Sequence, residues 1–148
     1  VKVSLENSSV ELKPNNQFSI DFEIDFPSKL VSRQSCQLQL INGNYKSDIA
    51  SARTFGFEKD VDLLRSNGLA LGGSLDNAVV VGENKILNSG GLRFKDEFVR
   101  HKILDSIGDL YLAGSPIQGY FFGNKSGHYL NNLLLKSLFA DKSNYEYI

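Results

Sequence analysis

Apolar and polar residues alternate over nine positions in Phe18-Ser-Ile-Asp-Phe-Glu-Ile-Asp-Phe26. This is the period-two pattern of a strand with one buried face. Val1–Leu5 and Val10–Lys13 are shorter strand candidates on either side of an Asn-Ser-Ser turn, and Lys13-Pro-Asn-Asn16 turns the chain into the long strand. Pro27 should end that strand, because it has no N–H to give a ladder. Ser35–Ile41 alternates again and runs into an Asn42-Gly43 turn.

Beyond residue 46 the period changes. Ser47–Ala52 predicts a short helix capped near Ser47. Glu58–Ser66 predicts another, closed by Asn67-Gly68. The apolar, glycine-containing segment Leu69-Ala-Leu-Gly-Gly-Ser74 follows, then a strand at Ala78–Val81, a turn at Gly82-Glu-Asn84 and a return strand at Lys85–Leu87. Residues 58–92 therefore predict a helix-hairpin insert of β-α-β-like character. The main helix is expected over Asp96–Leu112, with Asp96 as N-cap and Phe98, Ile103, Leu104, Ile107 and Leu110 on its apolar side. Ala113-Gly-Ser-Pro116 ends it. Ile117–Phe122 predicts a strand, residues 123–127 a loop, and Tyr129–Ala140 the last helix. The fold class is α+β: a two-layer sandwich of a mixed β-sheet with helices on one face, plus the small insert.

Composition narrows the function classes. The chain has 148 residues, 41% hydrophobic and 22% charged, values that suit one domain with a real core. The net charge is −1 and Lys/Arg residues form no long basic face, which argues against nucleic acid as a partner. The apolar runs are too short for a transmembrane helix, and Val-Lys-Val-Ser-Leu-Glu lacks the apolar segment of a signal peptide. The chain contains no Met, so a fragment or a mature piece of a longer protein is expected. The single Cys36 leaves no internal disulfide, fits a reducing compartment and reads as a small half-buried hydrophobe.

Candidate chemistry gathers on the main helix. His101, Asp105 and Asp109 are spaced by four residues. Each such step advances about 400°, so the three form one polar stripe. His101 and Asp105, one turn apart, can reach a common metal ion, and His plus carboxylate is a pair that zinc accepts. The same spacing also describes a solvated helix face. Asp109 can orient a histidine; the chain's other one, His128, follows a glycine where the last helix begins. A carboxylate on one ring nitrogen fixes the tautomer and leaves the other nitrogen to move a proton. His128 could equally serve to cap or pack that helix end. Thr54 could donate to a developing oxyanion, or cap the helix that follows. The Gly72-Gly73 pair permits unusual backbone angles or close approach to a ligand but is no phosphate loop, having no Lys-Ser/Thr after it. By pattern Phe26 is a core residue.

Four segments carry a resemblance: Ala52-Arg-Thr-Phe-Gly-Phe57, Gly68-Leu-Ala-Leu-Gly-Gly-Ser-Leu-Asp-Asn77, Gly91-Leu-Arg-Phe-Lys-Asp-Glu-Phe-Val-Arg-His-Lys-Ile-Leu-Asp-Ser-Ile-Gly-Asp-Leu110 and Lys125-Ser-Gly-His-Tyr-Leu-Asn-Asn132. Together, and in this order, they resemble the second half of the UDP-3-O-acyl-N-acetylglucosamine deacetylases, zinc amidases of bacterial lipid A synthesis. The resemblance implies one of two similar α+β halves, residues 1–148 being the C-terminal one, with the active site between the halves. It implies a cytoplasmic enzyme of Gram-negative type that hydrolyses the acetamide of UDP-3-O-acyl-N-acetylglucosamine. His101 and Asp105 match zinc ligands, Asp109 the partner of the catalytic histidine, His128 that histidine, and Thr54 an oxyanion donor. Lys102 and Phe55 match substrate-contacting positions, and Phe26 matches an aromatic that stacks on uracil. Leu69, Ala70 and Gly73 would lie along a passage for the acyl chain.

The family's base Glu and third zinc ligand His come from an adjacent Glu-His pair in the first half, and this chain has no such pair. A catalytic zinc normally has three protein ligands and a water. The third ligand is therefore expected from the N-terminal half, and the isolated chain is expected to be inactive, with an apolar helix face left uncovered. The rival reading is a non-catalytic module that binds a nucleotide-sugar or acyl chain through Phe26, Lys102 and the insert.

Overall fold

The alternating segment forms β3 (Ser19–Asp25) of a five-stranded sheet. The sheet is seen in a computed structural model that describes residues 1–41 and 43–148. Its other strands are β1 (Lys2–Leu5), β2 (Ser8–Lys13), β4 (Arg33–Gln39) and β7 (Tyr120–Asn124), in the order β1-β2-β7-β3-β4. β7 takes the centre, antiparallel to β2 and parallel to β3, and makes the sheet mixed as expected. Ile20, Phe22 and Ile24 of β3 are buried, whereas Asp21 and Glu23 lie on the other face, where Glu23 pairs with Arg33 at 2.9 Å.

Two helices cover the apolar face. α3 (Glu97–Leu110) lies over β3 and β4, and α4 (His128–Phe139) over β1 and β2. Phe98, Val99, Ile103, Ile107 and Leu110 from α3 meet Phe22 and Phe121 of the sheet and Leu130, Leu134 and Leu138 of α4 in one core. Burial of each large side chain stabilises the fold by about 1.5–3 kcal/mol relative to exposure. Asp96 occupies the cap position of α3 without capping it. Its Oδ1 instead accepts from Arg100 Nε at 2.6 Å, and Gln34 Oε1 on β4 accepts from the Val99 N–H at 3.3 Å. A carboxylate beside a guanidinium one turn on is already engaged, so the orphan helix donor is met by the sheet.

The other boundaries shift for local reasons. The short first helix, α1, is Asn44–Asp48 rather than Ser47–Ala52. Ser47 sits inside it, its hydroxyl donating to the Asn44 carbonyl and to Asp48. Gly43 precedes α1 with φ +80°; Asn42, the other half of the expected turn, lies outside the described residues. The strand expected at Ile117–Phe122 is Tyr120–Asn124, because Pro116 and the residues after it form a lead-in loop whose Gly119 carbonyl accepts from the Ser19 N–H.

The insert has the expected β-α-β character, with a different partner for its strand. β5 (Thr54–Phe57) and β6 (Ala78–Val81) pair in parallel, with α2 (Val61–Ser66) between them. Parallel strands need such a crossover, whereas a tight turn would make them antiparallel. The return strand at Lys85–Leu87 is reduced to one bridge, Val81 to Ile86. The unit therefore starts at Thr54, a segment whose sequence reads as a connection between helices. Phe55 and Phe57 hold it down: Phe55 meets Phe98 edge-on at 4.9 Å and Phe26 at 5.5 Å, and Phe57 lies 5.8 Å from Phe26.

Candidate active site

The polar stripe of α3 forms as the spacing requires. His101, Asp105 and Asp109 are partly buried, with side chains 13%, 20% and 19% exposed. His101 Nε2 lies 3.2 Å from Asp105 Oδ1. On the far side of the ring, Nδ1 lies 2.9 Å from the carbonyl oxygen of Ala52. A carbonyl can only accept, so Nδ1 carries the proton and donates it there. Nε2 is then the nitrogen turned to Asp105. Burial works against the imidazolium, but Asp105 and the Ala52 carbonyl outweigh it and hold the His101 pKa above its ordinary value. For Asp105, burial is likewise outweighed by His101, with smaller help from Lys102 and His128, and its pKa is lowered.

One turn on, Asp109 receives His128. Nδ1 of His128 lies 2.8 Å from Asp109 Oδ2 and 3.0 Å from Oδ1. Its Nε2 lies 4.0 Å from Asp105 Oδ2, and the ring is 69% exposed. His128 opens α4, one residue earlier than expected, with Gly127 at the cap position. The α3–α4 packing thus brings together residues that the sequence separates. Asn131, buried on α4, secures the pair: its Nδ2 donates to Asp109 Oδ2 at 2.8 Å and to Ser106 Oγ at 3.2 Å. Ser106 Oγ in turn donates to the Lys102 carbonyl.

Two depressions meet at Asp105. One, of about 450 Å³, is walled by Phe26, Thr54, Phe55, Phe57, Leu63, Leu64, His101 and Lys102. The other, of about 820 Å³, runs past Asp109 and His128 along Leu104, Ile107, Tyr111 and Ile117. Thr54 is the exposed first residue of β5 and caps no helix. Lys102 Nζ lies 3.9 Å from Asp105 Oδ2 and 5.9 Å from the centre of the Phe22 ring. Eight expected residues therefore line the two depressions that meet at Asp105: His101, Asp105, Thr54, Phe26, Phe55 and Lys102 in the first, and Asp109 and His128 in the second. Leu69, Ala70 and Gly73 do not join the walls of either depression; Leu69 and Ala70 are exposed, and Leu63 and Leu64 of α2 supply the aliphatic wall instead.

Three residues escaped sequence reasoning. Asn131 interrupts the apolar side of α4, which is the one local signal for it. Arg53 and Glu97 form a buried ion pair beneath the site, Nε to Oε1 at 2.9 Å and a second guanidinium nitrogen to Oε2 at 3.1 Å. A charged residue in the first turn of an apolar helix hints at Glu97, but nothing local names its partner.

Residues 1–140 match the family model of UDP-3-O-acyl N-acetylglycosamine deacetylase (LpxC). The chain is similar to proteins named UDP-3-O-acyl-N-acetylglucosamine deacetylase from several bacteria. It is 51% identical to that of Psychrobacter cryohalolentis over 150 residues, covering 100% of the chain and 47% of the relative. With that of Syntrophus aciditrophicus the identity is 50% over 145 residues, covering 98% and 46%. With that of Coxiella burnetii it is 51% over 150 residues, covering 100% and 50%. The chain thus spans about half the length of these relatives. Among the described residues no helix is long and apolar enough to cross a membrane.

Proposed function

The chain belongs to the UDP-3-O-acyl N-acetylglycosamine deacetylase family, and we propose that it is the C-terminal half of a zinc-dependent deacetylase of lipid A biosynthesis. The whole enzyme hydrolyses the acetamide of UDP-3-O-acyl-N-acetylglucosamine and releases acetate. The observation that carries this reading is the convergence of His101–Asp105 and Asp109–His128 on one stripe of α3, with His128 Nε2 and Asp105 Oδ2 4.0 Å apart.

The donor set suits zinc in kind. His101 has its Nδ1 proton committed to a carbonyl, the usual condition for a ligating histidine, and Asp105 is a carboxylate one turn away. Among the described residues no group of three or more His, Cys, Asp or Glu is placed to hold a metal. The third ligand and the carboxylate base are assigned to the N-terminal half. The apolar wall along Leu104, Ile107, Tyr111 and Ile117 is the surface on which that half would pack. Bound at His101 and Asp105, zinc supplies polarisation of the amide carbonyl and a water acidified to a pKa of about 7.

The chain's own residues do the rest. Thr54 Oγ1 donates to the developing oxyanion from the cleft rim. His128, cationic and held by Asp109 through Nδ1, presents Nε2–H to the same oxyanion and then to the leaving nitrogen. As the carbon–nitrogen bond breaks, that proton passes to nitrogen, giving the free glucosamine amine and acetate. Asn131 keeps the Asp109 carboxylate turned toward His128. Lys102, Phe55 and Phe26 contact the UDP-sugar, and the aliphatic wall of the insert takes the 3-O-acyl chain. A nucleotide-linked substrate supports a cytoplasmic reaction.

The test is free-amine formation from UDP-3-O-acyl-N-acetylglucosamine. The chain alone is expected to be inactive, and the chain supplied with the N-terminal half of a relative is expected to turn over, with loss of turnover in chelator. Turnover by the chain alone would sink the assignment to one half. Ligand binding that ignores both chelator and His101→Ala would favour the non-catalytic module.

A further inference from the structure

The buried ion pair beneath the site has a geometry that bears on the metal. Glu97 is fully buried in the first turn of α3, one turn before His101. Its carboxylate accepts four hydrogen bonds from three directions. Oε1 accepts from the Arg53 backbone N–H at 3.0 Å and from Arg53 Nε at 2.9 Å. Oε2 accepts from the second Arg53 guanidinium nitrogen at 3.1 Å and from the Arg93 N–H at 2.6 Å. Arg53 also donates to the Gly91 carbonyl at 2.8 Å. These bonds clamp residues 52–54 onto α3. The neighbouring Ala52 carbonyl is thereby held 2.9 Å from His101 Nδ1, and Thr54 at the cleft rim.

We infer that Arg53 and Glu97 are positioning residues for metal binding: by fixing the Ala52 carbonyl they hold the Nδ1 proton and the ring plane of His101, so that Nε2 is the nitrogen facing Asp105. A guanidinium fork suits this task because two parallel bonds fix direction as well as distance. Lysine at position 53 keeps the charge and loses the fork. This inference rests on the metal reading of His101 above.

The test measures two quantities in Arg53→Lys, with Glu97→Gln as a second variant that keeps the side-chain shape. Ring ¹⁵N shifts of the metal-free protein, read at alkaline pH where the ring is neutral, report the His101 tautomer without any metal. Competition with a chromophoric chelator reports Zn²⁺ affinity of the two-half protein. Leu138→Ala, a core truncation at the far end of α4, serves as the stability control. The expected result is a mixed His101 tautomer and about 10–100-fold weaker Zn²⁺ binding in Arg53→Lys, with both unchanged in Leu138→Ala. A wild-type tautomer and affinity in both ion-pair variants overturns the inference. So does an equal loss in Leu138→Ala, which would make the effect one of global stability. Failure of the wild-type protein to bind Zn²⁺ would instead remove the metal reading itself, and the tautomer measurement would still decide whether the clamp orients His101.

Discussion

His128 Nδ1 lies 2.8 Å from Asp109 Oδ2, joining the first residue of α4 to the penultimate residue of α3. The contact leaves Nε2 as the only ring nitrogen able to exchange a proton with a substrate. Asp109→Asn would keep the shape and offer an amide in place of an acceptor-only carboxylate. In the two-half enzyme kcat is expected to fall by about 10²–10⁴-fold, the range for loss of a general acid, with little change in KM. Asp109→Asn/His128→Ala is expected to be no worse than His128→Ala, because the two act as a unit. Steady-state rates of the three variants check this, and additive losses would mean that the residues act separately.

His101 Nε2 and Asp105 Oδ1 stand 3.2 Å apart, near enough to share a proton when no metal is bound and a metal when one is. Calorimetric titration with Zn²⁺ is expected to show weak one-site binding to this chain, stronger binding once the N-terminal half is present, and none in His101→Ala or Asp105→Ala. Undiminished binding in His101→Ala would move the metal elsewhere.

Glu97 gives stability a pH dependence of known sign. Burial opposes its charge, but the Arg53 side chain and the backbone N–H groups of Arg53 and Arg93 outweigh burial and hold its pKa below the ordinary 4.5. A carboxyl whose folded pKa is lowered contributes stability above its unfolded pKa and loses it as pH falls through the folded value. The stability difference between wild type and Glu97→Gln should therefore be constant above about pH 5 and shrink below about pH 4.5. Arg53→Ala leaves the carboxylate buried without its partner and is expected to cost about 3–5 kcal/mol at neutral pH. Urea unfolding at pH 7, 5 and 3.5 measures both. A difference that persists unchanged at pH 3.5 would show that Glu97 is not held ionised by this pair.

What was legible in the sequence was what a single element encodes. The alternation of β3, the apolar side of α3 and its polar stripe depend on local periodicity, and they formed as expected. The Asp109–His128 pairing depends on how α3 meets α4: the residues raised it as one option beside helix capping, and family resemblance selected it. The β5–β6 pairing was not legible: four residues of Thr-Phe-Gly-Phe are too few to separate a strand from a connection. Arg53 and Glu97 stand 44 positions apart, and no local pattern encodes which buried charge will find which partner. The passage positions fared differently again. Leu69 and Ala70 follow Gly68, whose φ of +73° ends α2 and turns the chain out toward solvent, so the aliphatic wall falls to the preceding helical turn.

Gly123 of β7 sits where a side chain would strike the core. A Cβ built there would lie 2.5 and 2.6 Å from two carbons of the Phe22 ring and 3.1 Å from Phe121. Phe22 and Phe121 are both fully buried and stack at 6.5 Å, so neither ring has free space to enter. The glycine is needed here for close approach rather than for an unusual backbone angle, since its φ is not positive. Gly123→Ala is therefore expected to destabilise the chain by about 1–3 kcal/mol, the usual cost of overpacking a filled core. Phe22→Leu alone should also destabilise, by removing buried ring area. Combined, the two changes should cost less than their sum, because the smaller side chain vacates the space that the new methyl needs. Urea denaturation of the two single variants and the double variant closes this cycle. Strict additivity would show that the Phe22 ring does not rest on Gly123.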